Sequence, residues 1–236
     1  SLRLDEATHR SLMLAAMAAG RKARAAGRGP GSPFRTLRGG LGSLVDAVGS
    51  RLRERGADLR LGVGVDELRP TGAGGAQVVL SDGSVEPVDA VVLAGGVASS
   101  AALLAGPAPE SAAAVSRVPL ATSTVVTLAY PASAFTTPVV SHGWLEAGPA
   151  PISGVTVSSA KWAGRAADGN VLIRAFVPER LGAIAHAKDE VLLDAVVRHV
   201  GEVLGASHGP ELTRVARWQG VMPKYTVGHL ARGAET

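Results

Sequence analysis

Arg174 is the residue of this chain whose type and setting point most directly to chemistry. It follows the apolar residues Val171, Leu172 and Ile173, where an unpaired charge would be costly to bury. The position therefore favours a carboxylate partner, which either the protein or a ligand could supply. A guanidinium binds a carboxylate through two parallel hydrogen bonds, so Arg174 could hold an acidic ligand.

The sequence lacks the motifs of a self-contained active site. It contains no Gly-x-Ser-x-Gly elbow, no His-Glu-x-x-His motif and no phosphate loop of the Gly-x-x-x-x-Gly-Lys type. The six histidines are scattered, and the spacing of the nearest pair, His199 and His208, indicates no metal site. The absence of cysteine excludes thiolate nucleophiles, disulfides and Cys-ligated metals.

Composition and charge narrow the classes of function. The 236 residues are 46% apolar but only 3% aromatic, so the core must be built from Ala, Val and Leu. A net charge of +4 could favour an acidic ligand, but the dense basic stripe with interleaved aromatics that is typical of nucleic-acid binding is missing. The apolar runs are far shorter than the ~20 residues of a membrane-spanning helix. We therefore expect a cytoplasmic protein that binds no nucleic acid and contacts a membrane at most peripherally.

Apolar residues at helical spacing predict the helices that must position these groups. The most regular of these runs places Leu192, Val196 and Val200 on one face. Gly56 suits a left-handed cap at the end of an earlier run. The predicted helices are Leu2–Gly20, Gly42–Arg55, Ala98–Leu104 and Lys188–Leu204.

Alternating or continuously apolar runs predict strands. The turn Ser81–Ser84 should join two of them as a hairpin, because Asp-Gly accepts positive φ. The run Asp89–Leu93 is apolar throughout after its first residue, which suits a strand buried on both faces of a parallel sheet. The predicted strands are Asp58–Val65, Gln77–Leu80, Val85–Val88, Asp89–Leu93, Thr122–Ala129, Gly143–Leu145, Gly154–Ser158, Asn170–Val177 and Glu211–Arg217.

The glycines of Gly39–Gly42 precede a predicted helix, as they do in a dinucleotide-binding turn. The preceding residues Phe34–Arg38 are too polar for the buried strand that such a turn requires, and no acidic residue follows at the expected distance of about 20 residues. We interpret these glycines as permitting a tight turn and a close approach to another element.

Two segments carry a resemblance to a known family. Trp218–Leu230 contains Met-Pro-Lys-Tyr-Thr-Val-Gly-His, which resembles the Met-Pro-Gln-Tyr-x-Val-Gly-His segment of the flavin-dependent protoporphyrinogen and coproporphyrinogen oxidases of haem biosynthesis. Phe34–Val48 looks like that family's Phe-x-Thr-Leu-x-Gly-Gly-Leu segment. Further similar segments are Gly62–Leu68, Gly143–Leu145, Ser158–Arg165 and Val171–Arg174.

The resemblance implies an α+β fold. A mixed β-sheet with helices would form the substrate-binding domain, and an incomplete α/β part would belong to the FAD-binding domain. The order of the elements already separates an α/β part, residues 34–105, from an α+β part, residues 120–218. The implied segments are a helical part of the substrate domain with its loop (1–33), the partial FAD-binding part (34–105), the substrate-binding domain (106–218) and a segment that returns toward the FAD domain (219–236).

The resemblance also implies a site for each ligand. Val65 and Leu230 would contact FAD. A porphyrinogen is a broad apolar ring edged by carboxylates, so its cleft needs apolar side chains against the ring and Arg at the propionates. Ordinary core packing is the alternative for two of the implied residues, Leu145 and Ile173. The implied substrate-binding residues are Trp144, Leu145, Ile152, Ile173 and Arg174.

The implied activity is oxidation of coproporphyrinogen III or protoporphyrinogen IX with FAD and O2, for which the chain need supply no acid–base pair. The sequence contains neither the family's dinucleotide fingerprint nor its C-terminal flavin segment. We therefore expect a central part of the parent enzyme. By itself it should not retain FAD or turn over, and it should self-associate through exposed apolar edges.

Two alternatives stay open from the sequence. The first is another flavin amine-oxidase relative, such as an amine oxidase or a desaturase, of which a desaturase would need no Arg for propionates. The second is a non-catalytic module that binds a tetrapyrrole or docks onto a membrane or partner, suggested by the basic residues Arg21, Lys22 and Arg24 at the end of the first predicted helix.

Overall fold

The computed structural model describes residues 11–25, 36–72 and 74–229. The chain divides into two units, residues 1–48 and 49–236. Helix α1 (Leu12–Ala25) lies in the first unit, and helix α2 (Gly42–Glu54) begins in it. The predicted end of the first helix at Gly20 is wrong, because the helix continues for five residues through the strong helix formers Arg, Lys and Ala. The predicted part before residue 11 lies outside the described residues.

The second unit begins with the end of α2 and a small antiparallel sheet. Its strands are β1 (Val65–Pro70), β2 (Ala76–Leu80) and β3 (Val85–Val88), in that order across the sheet. The predicted hairpin turn between β2 and β3 is confirmed. Gly83 has φ +85°, and its N–H donates to the carbonyl of Leu80 at 2.9 Å.

Two predicted strands are wrong. Residues 58–64 form no strand, and β1 begins only at Val65. Asp89–Leu93 is irregular, and the side chain of Val92 is 89% exposed. A strand buried on both faces requires neighbours that satisfy its backbone groups, and the described part of the chain places no parallel strand beside this segment.

Two helices follow and pack against each other, α3 (Val97–Leu104) and α4 (Pro109–Ser116). The sequence predicted α3 with a start one residue later, at Ala98. It did not predict α4. Pro109 occupies the first turn of α4, where its fixed φ suits a helix and its missing N–H costs nothing. Pro109 was therefore the residue of the sequence that could have indicated the start of α4.

The larger sheet has five strands: β4 (Leu120–Pro131), β5 (Gly143–Leu145), β6 (Gly154–Val157), β7 (Asn170–Pro178) and β8 (Leu212–Pro223). Their order across the sheet is β5-β6-β7-β4-β8, and all pairings between them are antiparallel. The predicted α+β class is confirmed, although the described pairings contain none of the parallel neighbours that a mixed sheet would have.

One face of this sheet carries the hydrophobic core. Short helices α5 (Ser158–Lys161) and α6 (Ala183–His186) precede the long helix α7 (Asp189–Leu204), which packs on the sheet and ends at Gly205 with φ +65°. The buried residues of α7 are Leu192, Val196 and Val200, spaced four apart as the sequence pattern predicts. In the described residues, no helix is long and apolar enough to cross a membrane.

Candidate functional site

The five-stranded sheet has a covered face, beneath α7, and an opposite face that we call the open face. Residues directly opposite each other in antiparallel strands project from the same face. Thr127 of β4 lies opposite both Arg174 of β7 and Arg214 of β8, and Arg174 lies opposite Thr156 of β6. These four side chains therefore form one polar row across the open face, with the two arginines on either side of Thr127.

An apolar row runs beside the polar row. Phe176 lies opposite Val125 and Gly154, and the register continues to Ala216 on one side and Leu145 on the other. The Leu145 side chain is 88% exposed. The Arg174 guanidinium carbon lies 5.8 Å from the centre of the Phe176 ring, which joins the two rows by a cation–π contact. The open face thus combines an apolar band with two cationic side chains.

The predicted substrate residues divide between the two faces. Arg174 and Leu145 lie on the open face. Trp144 lies on the covered face, because successive strand residues point in opposite directions. Ile173 and Ile152 are in the core with exposed fractions of 0% and 1%. Ile173 therefore packs in the core, which was the alternative to a substrate contact for this residue. A ligand on the open face would instead meet Leu172 and Arg174, the residues on either side of it in β7.

The sequence interpretation missed Arg214, Thr127 and Phe176 as open-face residues. All three lie in strands that it predicted correctly in outline, so the alternation could have assigned each to a face of its own strand. It could not have aligned the strands. The row that joins Arg174 to Arg214 depends on the register of β4 with both of its neighbours.

Arg217 shows how a structural arginine of this sheet is bound. It projects from the covered face and donates hydrogen bonds to the carbonyl oxygens of Ala185 and Ala187 and to Asp189 Oδ1. It thereby fastens β8 to the start of α7. Its guanidinium is therefore committed to the fold, in contrast to the arginines of the open face.

Glu146, just after β5, connects Trp144 to α7. Its Oε1 accepts a hydrogen bond from Trp144 Nε1 at 2.7 Å and one from His199 Nε2 at 2.8 Å. The bond from His199, and secondly that from Trp144, hold the pKa of the Glu146 carboxyl below its usual value. The group therefore ties the edge of the sheet to the helix in its ionised form.

This network predicts a stability loss in acid. Since the Glu146 pKa is lower in the folded state, its contribution is fully present above the unfolded pKa of a glutamate, about 4.3, and is lost as pH falls through the lower folded pKa. Glu146→Gln should cost about 1–2 kcal/mol at pH 7, and the difference from wild type should shrink toward pH 3.

Denaturant titrations at several pH values measure this effect. Glu202→Gln is the matched control, since Glu202 is an exposed residue near the end of α7. A difference between wild type and Glu146→Gln that stays constant from pH 7 to pH 3 would contradict the assigned role of the ionised carboxylate.

Of the two residues expected to contact FAD, Val65 and Leu230, only Val65 lies in the part of the chain that the structure describes. It begins β1, the edge strand of the three-stranded sheet, opposite Leu80. Leu80 donates its N–H to Ser84, and Gly64 accepts from the N–H of Ser81. Since successive strand residues direct their polar groups to opposite edges, the N–H and C=O of Val65 point to the edge of β1 where no described strand pairs with it. This arrangement fits a backbone contact to an adenine ring, whereas Leu230 lies outside the described residues.

A family model for flavin containing amine oxidoreductases matches residues 2–236. The chain therefore belongs to this family. It is 49% identical to the coproporphyrinogen III oxidase of Propionibacterium freudenreichii subsp. freudenreichii, over 99% of this chain and 49% of that protein. It is also 31% identical to the coproporphyrinogen III oxidase of Mycobacterium leprae (strain TN), over 87% of this chain and 44% of that protein.

Solved structures share the fold. A proposed protoporphyrinogen oxidase of Exiguobacterium sp. 255-15 superposes with a TM-score of 0.76 at 23% identity, covering 97% of this chain and 48% of that one. Reduced UDP-galactopyranose mutase superposes with a TM-score of 0.65 at 14% identity, covering 84% and 43%. The chain spans about half the length of the curated relatives it matches.

Proposed function

We propose that this chain is the substrate-binding portion of a flavin-dependent porphyrinogen oxidase of haem biosynthesis, with coproporphyrinogen III as the favoured substrate over protoporphyrinogen IX. The observation that carries the proposal is the open face, where an apolar row lies beside Arg174. A flat apolar ring can lie on the former while a propionate reaches the latter. The similarity to proteins named coproporphyrinogen III oxidases supports the choice of substrate.

In this proposal the residues of the chain bind and orient the ring. Strand pairing sets the spacing of the open-face side chains, and the Arg174 contact with Phe176 places the guanidinium beside the apolar row. Bound FAD would supply the oxidising chemistry, with O2 as the final acceptor. The free edge at Val65 would contribute to binding its adenine end. Loss of FAD from the 236-residue chain, its self-association and a peripheral membrane contact stay predictions.

The test is oxidation of each porphyrinogen by the full-length gene product, followed by porphyrin fluorescence. We expect fluorescence to rise faster with coproporphyrinogen III. Arg174→Gln should lower kcat/KM by at least about tenfold, because a charge-assisted bidentate contact contributes on the order of 1.5–3 kcal/mol. Absence of fluorescence from both substrates would contradict the proposal. Oxidation of amines in the same preparation would favour the amine-oxidase alternative.

A further inference from the structure

We infer that Arg174 and Arg214 together form a two-point carboxylate clamp across Thr127, with Arg214 as a second substrate-binding residue. The inference rests on the proposed function, since it names how the same open face would hold its substrate. Arg214 lies outside the segments that resemble the family, and the ligand that fits the clamp is an apolar ring with at least two carboxylates along one edge.

The spacing of the two arginines is set by the sheet. Both lie directly opposite Thr127, on the strands that flank β4. Neighbouring strands are about 4.8 Å apart, so the two backbone positions are roughly 10 Å apart. Both residues are exposed. Their flexible side chains can therefore reach two carboxylates of one ligand from opposite sides of β4.

Both arginines are available to an acidic ligand. Among the described residues, neither arginine has a carboxylate partner, whereas Arg217 on the covered face is bound by Asp189 and two carbonyl oxygens. Two like charges on one face repel each other slightly, which a dianionic ligand would relieve. The planar guanidinium of each arginine can bind one carboxylate of such a ligand through two hydrogen bonds.

The apolar row determines the orientation of the ligand. Phe176 and Leu145 lie on one side of the clamp, in the next row of the open face. A ring placed over them directs its acidic edge at Arg174 and Arg214. Coproporphyrinogen carries four propionates around its ring, so the clamp would engage two of them and leave the others to different contacts.

The experiment combines protein variants with a change in the ligand. Coproporphyrin III serves as the stable fluorescent probe, together with a form whose carboxylates are capped as neutral amides. Arg174→Gln and Arg214→Gln should each raise the Kd of the acidic probe about tenfold to a hundredfold, as expected for a lost hydrogen bond to a charged group. Neither variant should change the Kd of the capped probe by more than about twofold. Arg198→Gln is the matched control. Arg198 is an exposed arginine of α7, on the side of the sheet away from the open face, and is paired with Asp194.

The outcomes separate this inference from the proposed function. One outcome is that the wild-type protein binds the acidic probe and the full-length gene product oxidises the porphyrinogen, while Arg214→Gln leaves the Kd of the acidic probe unchanged. In that case the clamp is wrong and the proposed function stands. Equal weakening of both probes would mean damage to the fold and would also overturn the clamp. If wild type binds neither probe and oxidises neither porphyrinogen, both proposals fail. Arg214→Lys should recover part of the affinity, since it restores the charge without the bidentate geometry.

Discussion

Replacing Ile173 with alanine should lower the free energy of unfolding by about 2–5 kcal/mol. Ile173 is fully buried in the middle of β7, between Leu128 of β4 and Val157 of β6, in the core cluster that also contains the buried residues of α7. The truncation removes three carbon atoms and leaves a cavity in the close-packed core, which the neighbouring side chains cannot readily fill. Equilibrium denaturation followed by circular dichroism measures the effect, with an unchanged slope indicating the same two states.

Leu172→Ala is the matched control for this prediction. Leu172 is the adjacent residue and projects from the open face, where it is only partly buried, so its truncation should cost about 1 kcal/mol or less. The pair also tests the sequence interpretation of Ile173. If Ile173→Ala keeps its stability within about 0.5 kcal/mol of wild type while losing porphyrin affinity, Ile173 contacts the substrate and its place in the core is wrong.

Replacing Arg217 with alanine should cost about 2–4 kcal/mol, because a single guanidinium holds three partners at the junction of β8 and α7. The substitution leaves the carbonyl oxygens of Ala185 and Ala187 without this donor and separates Asp189 from its positive charge. The Arg217 side chain is 26% exposed, so water can reach the site and limits the loss below that of a fully buried network.

Arg217→Lys should recover less than half of this loss, since an ammonium group cannot reproduce the fork that spans all three acceptors. Arg198→Ala is the control for a surface pair and should change stability by about 0.5 kcal/mol or less. Thermal and denaturant unfolding of the three variants provide the comparison. Equal effects of Arg217→Ala and Arg198→Ala would contradict the assigned role of Arg217.

Features that depend only on residues close together in the sequence could be predicted from it. The bounds of β5 are confirmed, helix α7 begins one residue later than predicted, and the turn at Gly83 has the positive φ that its Asp-Gly pair indicates. The resemblance of two short segments also identified the family that the comparisons show. These features follow from local periodicity and turn chemistry, which act over a few residues and need no partner.

The tertiary structure decided which strands pair, in which register, and which face each residue occupies. Asp89–Leu93 has the composition of a buried strand, but a strand requires hydrogen-bonded neighbours, and the described residues supply none beside it. Trp144 and Arg174 were predicted to share a ligand, yet pairing across β6 places them on opposite faces. Arg214 becomes a candidate only when β8 is aligned with β4. Register is a property of pairs of strands distant in sequence, and a shift of one residue exchanges the two faces.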